Sequence, residues 1–167
     1  MELDARAARA ANPDLARVLE DCVVGGASVS FMSPFSRSEA EDFFTGVADE
    51  VAAGKTVLLA ARVDGEIAGT VQLGLATPPN QPHRADVKKL LVHRSARRRG
   101  VAEALMGAID RTARERGRWL LVLDTVRGDN AERLYTRLGW QRTGVIPDYA
   151  LYPDGRLCDT VVFWKKV

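Results

Sequence analysis

The 167-residue sequence predicts an α/β domain built on a mixed sheet. Three observations predict it. Apolar residues recur at helical spacing in the amino-terminal third and again after Gly100. Between Thr56 and Leu75 the period changes to two. A run apolar up to its terminal aspartate, Trp119–Asp124 (WLLVLD), then lies between two helical segments, as expected for a buried central strand. With 46% apolar and 28% charged residues, the chain has the composition of a soluble globular protein long enough to bury a core without staples. No repeat or linker interrupts the order, so residues 1–167 read as a single domain.

Each element has its own signal. The amino terminus, MELDARAARAANPD, reads as helical and charged. Asn12–Val24 reads as a helix capped by Asn12, with Pro13 in its first turn and Gly25-Gly26 as its stop. Ser36–Ala53 reads as a second helix ended by Gly54, and the apolar loop ASVSFMSPF between the two is core packing or a pocket wall. Thr56–Val63 and Glu66–Leu75 are strands joined by Asp64-Gly65, a strong two-residue hairpin turn. A proline-rich loop leads to a third strand, Asp86–Val92. The next helix carries Val101, Ala104, Leu105, Ala108 and Ile109 on one face. After the apolar strand, Asp129 resembles an N-cap with Glu132 as its capping-box partner, for a helix that runs to Leu138 and stops at Gly139. Two last strands, Gly144–Leu151 and Leu157–Trp164, flank the YPDGR turn.

The stretch ARRRGVAEALM concentrates charge at one turn. A strand, an arginine-rich turn with Gly100 and then a helix make the layout of a backbone anion cradle. Gly100 removes the side chain that would obstruct a phosphate, and Ala102 keeps the next approach narrow. It is not the nucleotide P-loop, because no Gly-Lys-Ser/Thr follows, and a single glycine does not make the dinucleotide fingerprint. The residues alone therefore point to a phosphate-bearing ligand. A formal charge of +2, with arginines clustered at 94–99 and 114–118, suits a small polyanion better than a nucleic acid. Cys22 and Cys158 make no disulfide framework and no metal-spaced set with His83 or His93, so buried thiols in a reduced compartment and no metal are expected. His83 and His93 lie in polar turns and read as solvated surface residues. No stretch reaches the roughly 20 apolar residues that cross a bilayer and no signal segment is present, so the expectation is a cytoplasmic protein without a membrane partner.

Two motifs carry a resemblance. Arg97-Arg98-Arg99-Gly100-Val101-Ala102 matches the Q/R-x-x-G-x-G/A motif of the GCN5-related N-acetyltransferases, and NAERLYTRLGW resembles their second signature. Together they span Asp86–Trp140 in the expected order of strands and helices. Within the family, HRADVKKLLVHRSARRRG, LLVLDTVRGDNAERLY and IPDYALYPDGRLCDT resemble the tabtoxin-resistance type.

The resemblance implies a mostly antiparallel central sheet flanked by helices, with a splayed strand pair at an acetyl-CoA site. The backbone of Leu90, Leu91 and Val92 would then pair with the pantetheine arm, and an amide near Leu91 would polarise the thioester carbonyl, a donor contribution of roughly 3 kcal/mol. Arg97, Arg98, Arg99, Gly100, Val101 and Ala102 would hold the pyrophosphate, and Asn130 would contact the coenzyme. Tyr135 stands where the family keeps its general acid. For the base, Asp124 ranks first and Asp86 second, either directly or through a water, because an alkylammonium with a pKa around 10 must first lose a proton.

The implied activity is acetyl transfer from acetyl-CoA to the primary amine of a small molecule, with an antibiotic or toxin amine as the detoxification case. A protein or peptide amine, or a coenzyme-binding domain without catalysis, are the alternatives. The strand after Trp140 is the edge at which a homodimer is expected.

Overall fold

The computed structural model covers Met1–Val167. Its strands are β1 (Glu2–Leu3), β2 (Thr56–Val63), β3 (Glu66–Gly74), β4 (Arg84–Val92), β5 (Leu120–Val126), β6 (Gln141–Leu151) and β7 (Leu157–Lys166). Its helices are α1 (Ala5–Ala10), α2 (Asn12–Val24), α3 (Arg37–Ala52), α4 (Val101–Glu115) and α5 (Asn130–Arg137). The strands form one sheet in the order β1-β2-β3-β4-β5-β7-β6. Every neighbouring pair is antiparallel except β4 with β5. The expected mixed, mostly antiparallel sheet is therefore the one observed.

Two apolar clusters cover the sheet. On one face α4 packs Val101, Leu105, Met106, Ile109 and Ala113 onto alternate residues of β2, β3, β4, β5 and β7, including Val71, Val87, Leu121 and Phe163. On the other, α1, α2 and α3 pack residues such as Leu15, Leu19 and Phe44 onto Leu58, Ala60, Ile67 and Leu91. This second cluster draws no residue from β5, β6 or β7. The α3-side face of those three strands therefore carries no helix.

Local signals explain most boundaries. Asp64 and Gly65 both have positive φ, +52° and +88°, the backbone that a two-residue turn between twisted strands requires. At α3 the capping box forms in full: the Ser36 hydroxyl accepts from Glu39 N–H at 3.2 Å, and the Glu39 carboxylate accepts from Ser36 N–H at 2.8 Å.

Elsewhere the expectations need correction. The amino terminus is not helical throughout, because Glu2 and Leu3 first add a strand to β2 and Leu3 is buried. Asn12 does not cap α2. Ala11, at the cap position, already has helical backbone carried over from α1, and the Asn12 amide donates instead to Glu41 O and Thr45 Oγ1, both at 3.0 Å. Asp129 caps α5 through Asn130 N–H, but Glu132 reaches Gly128 N–H at 2.6 Å rather than Asp129, one residue short of a capping box. Trp119 lies outside β5, about half exposed and stacked on His83 at 4.6 Å. Nor is β5 buried on both faces: Leu121 and Leu123 are, whereas Asp124 on the helix-free face is exposed.

Gly69 sets how closely α4 can approach. A Cβ there would meet Leu91 O and Val101 Cγ1 at 2.9 Å, and Leu105 Cδ1 at 3.2 Å. Gly69→Ala is expected to lower stability by about 1–3 kcal/mol through overpacking. Urea unfolding measures this, and an unchanged midpoint would show that α4 shifts freely.

Candidate active site

The site begins with an irregularity in β4. Thr70 pairs with Leu91 and Gln72 with Lys88, so Lys89 and Leu90 together oppose Val71. The extra residue is a β-bulge, and Lys89 takes φ +55° to make it. Its sequence trace is the doubling in VKKLLV, where strict alternation fails. That signal was available in the sequence and was missed.

On its other side β4 pairs with β5 only from Arg84 to Asp86, against Leu120 to Val122. The parallel ladder then ends, while β5 continues along β7 to Val126. The two strands thus form a wedge, closed at Asp86 and open towards Val92. Leu91 is buried in the α2-side cluster, and Leu90 and Val92 pack on the α4 side. Their side chains belong to the two cores, and their backbone borders the wedge.

At the open end the chain turns into α4. Arg94 is held by Asp21, through both its backbone N–H at 2.8 Å and its guanidinium, and Ala96 is buried beneath the turn. Arg98 and Gly100 then adopt positive φ, +62° and +76°, and Gly100 provides no side-chain cap. As a result no backbone N–H from Arg98 to Glu103 donates to a protein acceptor. Donors of one exposed turn converge at a helix start, the arrangement that binds phosphate groups. The three arginines are not equivalent. Arg99 is paired with Asp64 at 2.9 Å, which raises its own pKa and lowers that of the aspartate, whereas Arg97 and Arg98 make no ion pair. Arg97 donates from Nε to Val92 O at 3.4 Å.

Because β4 and β5 are parallel, α5 starts at the same edge of the sheet as α4. Asn130, its first residue, has an exposed side chain without a protein partner. Tyr135 is 5% exposed, with its ring against Trp140 at 5.8 Å and Phe163 at 5.9 Å. Its hydroxyl hydrogen-bonds to no protein group. Burial first, then the carboxylates of Asp124 and Asp129, push its pKa well above the usual phenol value, so it stays protonated at neutral pH. Asp124 lies on β5 beyond the paired segment, with Oδ2 2.8 Å from Thr160 Oγ1. Asp86 sits at the closed end, ion-paired with Arg84 at 2.5 Å. The fold thus gathers Leu90–Val92, Arg97–Ala102, Asn130, Tyr135 and Asp124 around the open wedge and leaves Asp86 apart. His93 is not a solvated residue: its Nδ1 lies 2.8 Å from Ser95 Oγ, and its Nε2 is 3.5 Å from Asp21.

The α3-side face of the wedge is closed by the loop between α2 and α3. Lys89 Nζ donates to Val29 O and Ser30 Oγ, each at 2.7 Å. Further along, Ser28 Oγ donates to Leu151 O at 2.6 Å, and Ser33 N–H to Pro153 O at 2.9 Å. The loop is therefore strapped from β4 to the β6–β7 turn. Phe31, in this strap, packs on Phe35 and Phe43 at 4.7 and 5.3 Å. Neither Lys89 nor Thr160 was singled out in the sequence, because their importance depends on which strands lie side by side.

A splayed parallel pair beside an uncapped, glycine-led helix start leaves free backbone donors for an extended, phosphate-bearing ligand. The comparisons with known proteins agree. The acetyltransferase (GNAT) family model matches residues 26–140. The chain belongs to this family of acetyl-CoA-dependent N-acetyltransferases. An uncharacterized N-acetyltransferase from the hisH-hisA intergenic region of Azospirillum brasilense is 32% identical over 113 residues, 66% of each chain. The fold is shared with a ribosomal-protein-alanine N-acetyltransferase from Brucella melitensis, with a TM-score of 0.81, 20% identity, and 95% and 96% of the two chains covered. It is shared also with a Salmonella typhimurium acetyltransferase structure that includes its cofactor acetyl-CoA, with a TM-score of 0.78, 16% identity, and coverage of 95% and 89%.

Gly100 sets the left-handed backbone of this turn, whereas the Arg99 guanidinium is already paired. A side chain at φ +76° is strained, at a cost of about 1–2 kcal/mol even where space is open. Gly100→Val is expected to weaken acetyl-CoA binding at least tenfold in calorimetric titration. Arg99→Ala, which removes a guanidinium already paired with Asp64, should weaken it less than threefold.

Proposed function

We propose that this protein transfers an acetyl group from acetyl-CoA to the primary amine of a small molecule, by direct attack within a ternary complex. The observation that carries the reading is the open wedge: one side abuts the free amides of Arg98–Glu103, the other the strap-covered face that carries Asp124. Acetyl-CoA supplies an acetyl group activated as a thioester. His93 N–H pairs with Ala68 O, so by alternation Leu91 N–H faces Thr70 on β3. The wedge-facing backbone of Leu90 and Val92 orients the pantetheine arm, and one of their amides draws charge from the thioester carbonyl. Amides from Arg98 to Ala102, with the Arg97 and Arg98 guanidinium groups, hold the pyrophosphate, and Asn130 adds a contact.

Asp124 receives the ammonium proton, directly or through water, which frees the lone pair that forms the new C–N bond. Tyr135, held protonated by its surroundings, gives its proton to the sulfur as the C–S bond breaks. Asp86 is the less favoured base because Arg84 engages it at the closed end. A small acceptor is preferred to a peptide because the strap from Lys89 to Leu151 and Pro153 crosses the groove that an extended chain would occupy. An amine-bearing antibiotic or toxin falls within this class. If the chain dimerises, the face of β6 and β7 is favoured over strand addition at the β6 edge, because Pro147 and the irregular pairing from Ile146 to Ala150 interrupt that edge.

Tyr135→Phe is expected to lower kcat about 100-fold with coenzyme affinity unchanged, and Asp124→Asn to lower kcat/KM by a similar factor. Thiol release from acetyl-CoA across a panel of amines and peptides measures both. Unchanged turnover in either variant removes that residue from the mechanism, and turnover confined to peptides replaces the small acceptor.

A further inference from the structure

Lys89 is not used by the chemistry above, yet the fold directs it into the acceptor groove. The bulge breaks alternation, so Lys88 and Lys89 both reach the α3-side face. There their surroundings differ. Lys88 meets Glu50 at 3.4 Å, whereas no carboxylate comes within 4.0 Å of Lys89. Lys89 is instead enclosed by oxygen dipoles and rings: Val29 O, Ser30 Oγ, and the faces of Phe31 and Phe43 at 5.5 and 5.9 Å.

An ammonium carries three donors, and two are engaged by the strap, so the third has no protein acceptor. A cation withdrawn from water without a counter-charge is costly. Burial, with Lys88 adding to it, pushes Lys89 down to about 8, against the opposing pull of Asp124. It remains mostly a cation at neutral pH. The groove thus holds one anion, Asp124, and one cation without an ion-pair partner, Lys89, on adjacent strands that have splayed apart.

Resting on the acetyl-transfer reading, we infer that Lys89 selects the acceptor: its ammonium binds a carboxylate on the small molecule whose amine is placed at Asp124. The acceptor class is then amino-carboxylic acids rather than simple amines. The carboxylate supplies the missing counter-charge and the third hydrogen bond, and the strap that Lys89 anchors covers the molecule from the α3 side. Lys89 acts on binding and touches no reacting atom.

The test is steady-state thiol release with acetyl-CoA across α- and ω-amino acids, each paired with its carboxamide, for wild type, Lys89→Met and Lys89→Arg. The expected result is that the wild type favours an acid over its amide. Lys89→Met should raise KM for the acid about 30-fold, the scale of one charge-assisted hydrogen bond in a sheltered site, while changing the amide less than threefold. Lys89→Arg should restore part of the preference, and coenzyme affinity should not move. Equal losses for acid and amide would mean that Lys89 only anchors the strap and would overturn the inference, as would a wild type that prefers amides. If no amine of any kind releases thiol, the transfer reading itself fails. Calorimetry of the same acids with coenzyme-loaded wild type and Lys89→Met then decides the matter, and absence of Lys89-dependent binding overturns the carboxylate site.

Discussion

The parallel register between β4 and β5 lasts only from Arg84 to Asp86, and the rest of the site depends on where it stops. Continued pairing would bury the β4 backbone in an unbroken sheet and leave no passage between its faces. The ladder ends because the strands have different partners to satisfy. On one side β4 bulges at Lys89 and Leu90 to stay in register with β3. On the other, β5 follows β7 without a break to Val126. A bulged strand bends and a regular one does not, so the two diverge.

Divergence alone would open a hole, and the two cores keep it from collapsing. The α4-side cluster holds Leu90, Val92 and Leu123 from one face, and the α2-side cluster holds Leu91 from the other. Gly69 lets Val101 and Leu105 sit directly on β3, which places the start of α4 at the mouth of the opening. Packing thereby fixes where the free amides after Arg98 point. Their donors remain unsatisfied because Gly100 begins the helix in a left-handed conformation without a capping side chain. Of the three arginines in this turn, Arg99 is committed to the hairpin at Asp64.

The two faces of the wedge have different physical character. Tyr135 is embedded among Trp140 and Phe163, where desolvation keeps its proton on. Asp124 and Lys89 lie on the face that no helix covers beyond β4, roofed only by the strap of Ala27–Phe35.

Much of this was legible in the sequence. Helical periodicity, the glycine stops and the Asp64-Gly65 turn are local effects, and they specify α2, α3 and the first hairpin nearly to the residue. The uncapped start of α4 was legible too, because a helix start needs only its own few residues, and two motifs at family spacing carried the family. What only the tertiary structure decided is everything that depends on which strands are neighbours. The register that frees β4 beyond Asp86, the strap tied to Leu151 and Pro153, and the entry of Lys89 beside Asp124 join residues far apart in sequence. Asp86 and Asp124 look alike in sequence. They differ in the fold because one lies where the two strands still pair and the other where they have parted.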